Sequence, residues 1–366
     1  MSLSRRNILA GLLAGSSVLA LSACSKPADK PAAPAAPAKT AFTIGWSIYA
    51  GWMPWPYAAQ AGIVKKWADK YGLTINIVQI NDYVESLNQF TAGKLDGVTV
   101  ANMDALTVPA AGGKDTSAII VGDYSNGNDG IVMKGASSLK DIKGQSVNLV
   151  ELSVSHYLLA RGLEKAGLKL SDVKTVNTGD ADIVGAFSSK DVKNVVTWNP
   201  QLSQVKKAPG AKMVFGSADI PGEILDLLVV DTATLAATPA LGKALVGIWY
   251  ETIALMKSET PDGAKSRAAM GALAGTTEAD FESQLKTTYL YYTPAEAVAE
   301  ITSAGLVETM DRVRQFSFSK GLFGPAATSV DAIGIAFPGG KTLGSKDNIK
   351  LRFDPTYTQL AADNKL

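Results

Sequence analysis

FTIGWSIYAGWMPWPYAAQ, Phe42–Gln60, reads as a strand that runs through an aromatic turn into a helix. Phe42–Ile48 carries the apolar and aromatic side chains of a buried strand, and Pro56 suits the first turn of a helix. That helix is expected to continue to Tyr71 and stop at Gly72, with Tyr57, Ala61, Val64, Ala68 and Tyr71 on one face. Five aromatic residues (Trp46, Tyr49, Trp52, Trp55 and Tyr57) occupy twelve positions here, although aromatics make up only 7% of the chain. Trp46 and Tyr57 suit packing of the strand and the helix. Tyr49, Trp52 and Trp55 fall between them, beyond the carboxyl end of the strand, where open α/β sheets hold ligands. Pro54 and Pro56 stiffen that turn, which lowers the entropy lost when rings close on a solute.

Outward from this unit, strand-like and helix-like segments keep alternating. Thr74–Ile80, Gly97–Met103 and Ser117–Tyr124 read as strands, with a helix at Tyr83–Ala92, so βαβ units and a mostly parallel sheet are expected. After Ile131–Lys134 a second series starts, with strands at Ser146–Leu152, Val173–Gly179, Val192–Asn199 and Ala211–Ser217 and a helix within VSHYLLARGLEKAG. Ile224–Asp231 is a further apolar strand. Beyond Pro239 the pattern is mostly helical, with helices at Pro239–Lys257, Glu278–Thr287, Pro294–Ala304 and Val307–Phe316. Two α/β lobes imply a cleft between them.

The amino end obeys different physics. Two arginines in MSLSRRN precede an uncharged, mostly apolar run from Ile8 to Ala23, which reads as a signal peptide over residues 1–23. LSAC, Leu21–Cys24, resembles the lipobox of bacterial lipoproteins, in which Cys24 is lipidated. SRRNIL also resembles a twin-arginine export motif, which leaves the export route open. Lys26–Ala41 is eleven parts Pro or Ala out of sixteen, so residues 24–41 are expected to be an extended tether. The expected location is the periplasm or cell surface, with the membrane reached through the lipid anchor only.

Composition excludes several chemistries. With 46% hydrophobic and 19% charged residues, 35 basic side chains against 34 acidic ones and no basic run, nothing here suits a nucleic-acid backbone. Cys24 is the only cysteine and His156 the only histidine, so disulfides, thiol redox pairs and Cys/His metal sites are not expected. GIAFPGGKT from Gly334 misses a phosphate loop, because Ile335 stands where glycine is required. Asp123–Gly130, DYSNGNDG, misses a calcium loop at Gly127 and Lys134. With no nucleophile elbow and no dinucleotide fingerprint either, no catalytic residue, metal or cofactor is expected.

Five segments together resemble the periplasmic solute-binding proteins of ABC importers for nitrate, sulfonate, taurine and thiamine precursors: Ile44–Gly62, Gly97–Leu106 (GVTVANMDAL), Gly122–Val132 (GDYSNGNDGIV), Val150–Leu168 and Val196–Leu202 (VTWNPQL). They look closest to the branch associated with urea carboxylase. The resemblance implies a two-lobed clamp with a discontinuous first lobe, here 42–133 plus 225–366 with its C-terminal helices, and a second lobe at 134–224. It implies a monomer that does no chemistry but delivers a solute to a permease and its ATPase.

The residues at the expected strand ends indicate which solute. They are Asn102, Asp104, Asp123 (with Asn128 and Asp129 in the following turn), Glu151, Trp198 and Asn199, joined by Tyr49, Trp52, Trp55 and, near the returning strand, Asp226. Asp104 also suits a helix cap, Asp123 and Asp129 a turn, and Trp198 the core. Arginines lie elsewhere, at Arg161, Arg267, Arg312, Arg314 and Arg352. Acids and rings suit a small planar cation, because each ring adds roughly 0.5–2 kcal/mol of cation–π attraction and a carboxylate takes N–H donors in pairs. Guanidinium is favoured and urea comes next. The alternatives are taurine, a sulfonate, nitrate or a thiamine-related pyrimidine and, of another class, a pyrimidine-synthesising enzyme or a ligand sensor.

Overall fold

The computed structural model describes residues 39–366; the expected signal peptide, Cys24 and the tether as far as residue 38 lie outside the described residues. The first strand and helix form close to where the sequence places them: β1 is Ala41–Trp46, followed by a 3-10 turn at Ala50–Trp52 and by α1, Pro54–Gln60. The single expected helix is in fact two. Gly62 takes a left-handed φ of 78°, which ends α1 and lets α2, Ile63–Lys70, start in a new direction. Then come β2 (Thr74–Gln79), α3 (Tyr83–Thr91), β3 (Gly97–Ala101), the short α4 (Asn102–Ala105) and β4 (Thr116–Ser125).

A second group follows: β5 (Asp129–Lys134), β6 (Ser146–Leu149), α5 (Val154–Lys165), β7 (Lys174–Asn177), α6 (Ile183–Ser188), β8 (Asn194–Trp198), α7 (Gln201–Val205) and β9 (Ala211–Gly216). The chain returns through β10 (Leu225–Asp231), α8 (Thr232–Ala237), α9 (Pro239–Lys257), α10 (Pro261–Leu273), α11 (Glu278–Leu285), β11 (Thr288–Leu290), α12 (Pro294–Ile301) and α13 (Ala304–Ser319). It ends with β12 (Gly334–Ala336), β13 (Thr342–Leu343), β14 (Ile349–Phe353) and α14 (Thr356–Ala362).

These elements build an α/β fold on two sheets. One has nine strands in the order β13-β12-β14-β4-β10-β3-β1-β2, with β11 on the far end of β4; the other has five, in the order β7-β6-β8-β5-β9. The expectation of mostly parallel sheets needs correcting, because β10 runs antiparallel to both neighbours, β3 and β4, and β5 runs antiparallel to β8 and β9. The C-terminal part is also less purely helical than expected, since β12, β13 and β14 extend the larger sheet. Among the described residues no helix is long and apolar enough to cross a membrane.

The chain passes between the sheets at 126–128 and 217–224, and the two passages are stitched together. Ser125 and Ser217 share a hydroxyl hydrogen bond of 2.7 Å, the Gly127 N–H donates to Ser217 Oγ at 2.8 Å, and the Ser125 N–H donates to the Ile224 carbonyl at 2.9 Å. These bonds bring the ends of β4, β5 and β10 together, and with them Asp123, Asp129 and Asp226.

Candidate ligand-binding site

At this junction Tyr49, Trp52, Tyr83 and Trp198 wall a small cavity that Asp129 and Asp226 also border. Ala101, Val154 and Ile224 complete it. Its volume is about 20 Å³ on the measure by which one water needs roughly 10–15 Å³, so it suits a solute of only a few heavy atoms. The rings hold one another in place. Trp52 meets Tyr49 edge-on at 5.1 Å and leans on Tyr83 at 5.7 Å, while Trp198 stands edge-on to Tyr83 at 5.8 Å. Edge contacts of this kind add to the area buried, and the cage is stiff before any solute arrives.

Of four buried aspartates here, Asp129 and Asp226 border the cage, while Asp123 and Asp104 are reached from it through the hydroxyls of Tyr49 and Tyr83. Asp123 and Asp226 lie directly opposite each other on antiparallel β4 and β10, a placement that repels when both are charged. Burial pushes Asp123 up to about 7 despite hydrogen bonds to Asp226 and Tyr49, and the Tyr49 hydroxyl donates to its Oδ1 at 3.2 Å. Asp226 is pushed well above the carboxylate range, first by burial and then by the charge of Asp123. Burial also raises Asp129 to about 6 and Asp104 to about 7. The Tyr83 hydroxyl, which donates to Asp104 Oδ2 at 2.7 Å, offsets part of the latter shift, as does the Val154 amide at the amino end of α5.

Asp104 Oδ1, Asp123 Oδ2, Asp129 Oδ1 and the Trp52 indole N–H have no hydrogen-bond partner in the protein. Among the described residues no lysine or arginine forms an ion pair with any of the four aspartates. Gly51 is what admits Asp123 to this position, since a side chain there would meet its Oδ2 at 2.4 Å.

The other residues singled out from the sequence sit at one remove. Trp55 does not reach the cavity; it is buried behind Trp52, packed on Trp249 at 5.5 Å. Asn102 instead clamps the returning chain: its Nδ2 donates to the Glu223 carbonyl at 3.1 Å and its Oδ1 accepts the Leu225 N–H at 3.3 Å. Asn199 faces away, with Oδ1 accepting the Ser203 N–H at 3.0 Å and Nδ2 donating to Asn128 at 2.6 Å. Asp104 lies in the first turn of α4 with no capping bond, so the expected cap does not form. Glu151 is half-buried and borders a separate, outer cavity together with Asp104 and Tyr83.

Nothing in the sequence sets Tyr83 apart, since it opens an amphipathic helix, and Asp129, expected in a turn, begins β5.

Residues 35–272 match the model of the NMT1-like family. A binding protein of Brucella abortus (strain 2308) is 28% identical over 152 residues, which is 41% of this chain and 47% of that relative. The chain thus spans about half the length of the curated relatives it matches. The alkanesulfonate-binding protein SsuA of Xanthomonas axonopodis pv. citri, solved with MOPS bound, superposes with a TM-score of 0.66 at 16% identity, covering 79% of this chain and 96% of its own. The periplasmic nitrate-binding protein NrtA of Synechocystis PCC 6803 gives a TM-score of 0.57 at 11% identity, covering 90% and 99%. At these identities the structural likeness concerns the fold.

Proposed function

The chain belongs to the NMT1-like family, and we propose that it is the extracytoplasmic solute-binding component of an ABC importer that captures a small planar cation, with guanidinium favoured. The observation that carries this reading is a pair of buried aspartates, Asp129 and Asp226, bordering an aromatic cavity of a few heavy atoms, with Asp104 and Asp123 buried beside them and none of the four paired to a basic side chain. Uncompensated buried carboxylates cost several kcal/mol each, and a cation restores the balance. A guanidinium between Asp129 and Asp226 would present N–H donors to acids on both sheets, with Trp52 and Trp198 offering their faces.

The sulfonate and nitrate named for the fold neighbours fit these residues poorly. An anion would seek a helix amino end or a positive side chain, yet the amino end of α5 already faces the Asp104 carboxylate. Urea stands as a second reading for one reason: carboxyls raised to about 7 are partly protonated near neutrality and can donate to a neutral carbonyl.

In the same reading, residues 42–133 with 225–366 and residues 134–224 act as two lobes that close on the solute. The leader and Cys24 tether a monomer to a membrane, where it meets a permease and its ATPase. Among the described residues no group of three or more histidine, cysteine, aspartate or glutamate side chains is placed to hold a metal ion.

A thermal-shift panel at fixed ionic strength tests the ligand. Guanidinium chloride at 100 times its dissociation constant should stabilise the protein by about 2.7 kcal/mol relative to sodium chloride. A shift with taurine, nitrate or an alkanesulfonate and none with guanidinium overturns the cation reading. A shift with urea alone selects the second.

A further inference from the structure

Beside the cage lies a larger chamber. It measures about 340 Å³ on the scale that gives the cage about 20 Å³, and Val84, Leu87, Val108, Leu152 and Leu322 make it mainly apolar. Tyr83 borders both spaces. Its ring is pinned between Trp52 and Trp198, and its hydroxyl donates to Asp104 Oδ2 at 2.7 Å while accepting the Ala101 N–H at 3.0 Å. A side chain held at both its ring and its tip does not swing aside without breaking those contacts.

We propose that Tyr83 is the specificity-determining partition of the site: it confines the ligand to the cage and rejects cations that carry an apolar substituent. This rests on the cation reading above. The chemistry follows from the two linings. The cage offers acids and ring faces, which suit a bare cationic head. The outer chamber, although Asp104 and Glu151 also border it, is walled mainly by aliphatic side chains that suit a hydrocarbon tail, and Tyr83 stands between the two. Shortening Tyr83 joins them into one space with a charged end and an apolar end, large enough for an N-alkylated cation. Tyr83→Phe keeps the ring and removes only the hydroxyl anchor, so it separates blocking by volume from the hydrogen bonds.

Isothermal titration with guanidinium chloride and n-butylguanidinium chloride measures the ratio of their dissociation constants, which a general loss of stability does not move. The wild type and Tyr83→Phe are expected to prefer guanidinium by about 100-fold or more, because a filled cavity tolerates added methylenes poorly. Tyr83→Ala is expected to narrow the preference to within about tenfold through tighter binding of the butyl compound. Equal binding of both compounds by the wild type overturns the partition, as does a Tyr83→Ala variant that weakens both and leaves the ratio unchanged. If Tyr83→Ala does not fold, the wild type alone still decides: affinity should fall steadily through methyl-, ethyl- and butylguanidinium, and a flat or rising series overturns the proposal. A wild type that binds none of these compounds overturns the cation reading itself, whereas one that binds guanidinium with no size preference overturns only the partition.

Discussion

Glu223 and the four aspartates of the cage are all buried acids near the passages between the two sheets, but the protein treats them differently. Glu223 lies one residue before Ile224, in the passage from β9 to β10. Its Oε2 accepts the Tyr157 hydroxyl at 2.6 Å and Arg161 Nε at 2.8 Å, its Oε1 accepts Arg161 Nη2 at 3.0 Å, and Arg312 stands 3.9 Å away. Burial alone would raise its pKa, yet the hydrogen bonds from Arg161 and Tyr157 and the charges of Arg161 and Arg312 hold it below the usual range. Asp104, Asp123, Asp129 and Asp226 have tyrosines and one another but no cation, and all four are raised. One acid is compensated from within and holds α5, α13 and the passage together. The others are left for a partner from outside.

The largest expected effect comes from removing a cage acid. Asp129→Asn or Asp226→Asn should weaken guanidinium binding by about 30- to 1000-fold, roughly 2–4 kcal/mol, because one side of a buried charge pair is lost. The same variants should leave the melting temperature of the ligand-free protein unchanged or higher, since an uncompensated charge has gone. Calorimetric titration beside a melting curve reads both quantities. If Asp226→Asn binds normally, the two groups of acids are alike and the site lies elsewhere.

Glu223→Gln should show the reverse. It strands Arg161 without its bidentate partner, and because that guanidinium is partly open to water the expected cost is about 1–3 kcal/mol, less than for a fully enclosed pair. Guanidinium affinity should stay within about threefold, as Glu223 does not border the cage. Denaturant unfolding measures the first and titration the second. A large loss of affinity with no loss of stability would mean that Glu223 controls closure of the cleft, and the contrast would have to be redrawn.

The unequal standing of these acids also explains what the sequence discloses. Asp226 interrupts the apolar run ILDLLVVD, and an acid in such a strand needs a partner, so it is visible without coordinates. Trp52 is visible in the turn between β1 and α1, two residues before Pro54, and Trp198 at the end of β8, two residues before Pro200. Tyr83 is not: as the first residue of an amphipathic helix it is indistinguishable from core, and only the meeting of α3 with β8 makes it a wall. Asn102 and Asn199 mislead for a different reason. Amides at strand ends are equally good at satisfying orphan backbone groups, and here they do that instead. Trp55 shares the composition of its turn with Trp52, and only the helix phase, which turns it onto Trp249, tells them apart. The short strands β12, β13 and β14 pair with one another or with the distant β4, a non-local choice that two to five residues do not advertise.

The response to pH between 5 and 8 isolates the cage. An aspartate whose pKa rises on folding holds more protons in the native state than in the unfolded chain. The stability it contributes is therefore complete below about 4 and lost as pH rises through its folded value. With Asp104 and Asp123 at about 7 and Asp129 at about 6, the ligand-free protein should melt at a lower temperature at pH 8 than at pH 5. Glu223, with its pKa lowered, loses its contribution only as pH falls below the ordinary range for glutamate, so it stays silent across this window. The stabilisation conferred by guanidinium should run the opposite way and grow from pH 5 to pH 8, because a cation binds the deprotonated acids. Melting curves with and without guanidinium chloride at each pH should therefore diverge upward. Parallel curves would mean that guanidinium binding releases no protons, so the raised aspartates are not the groups that receive it, and the cation reading of the cage fails.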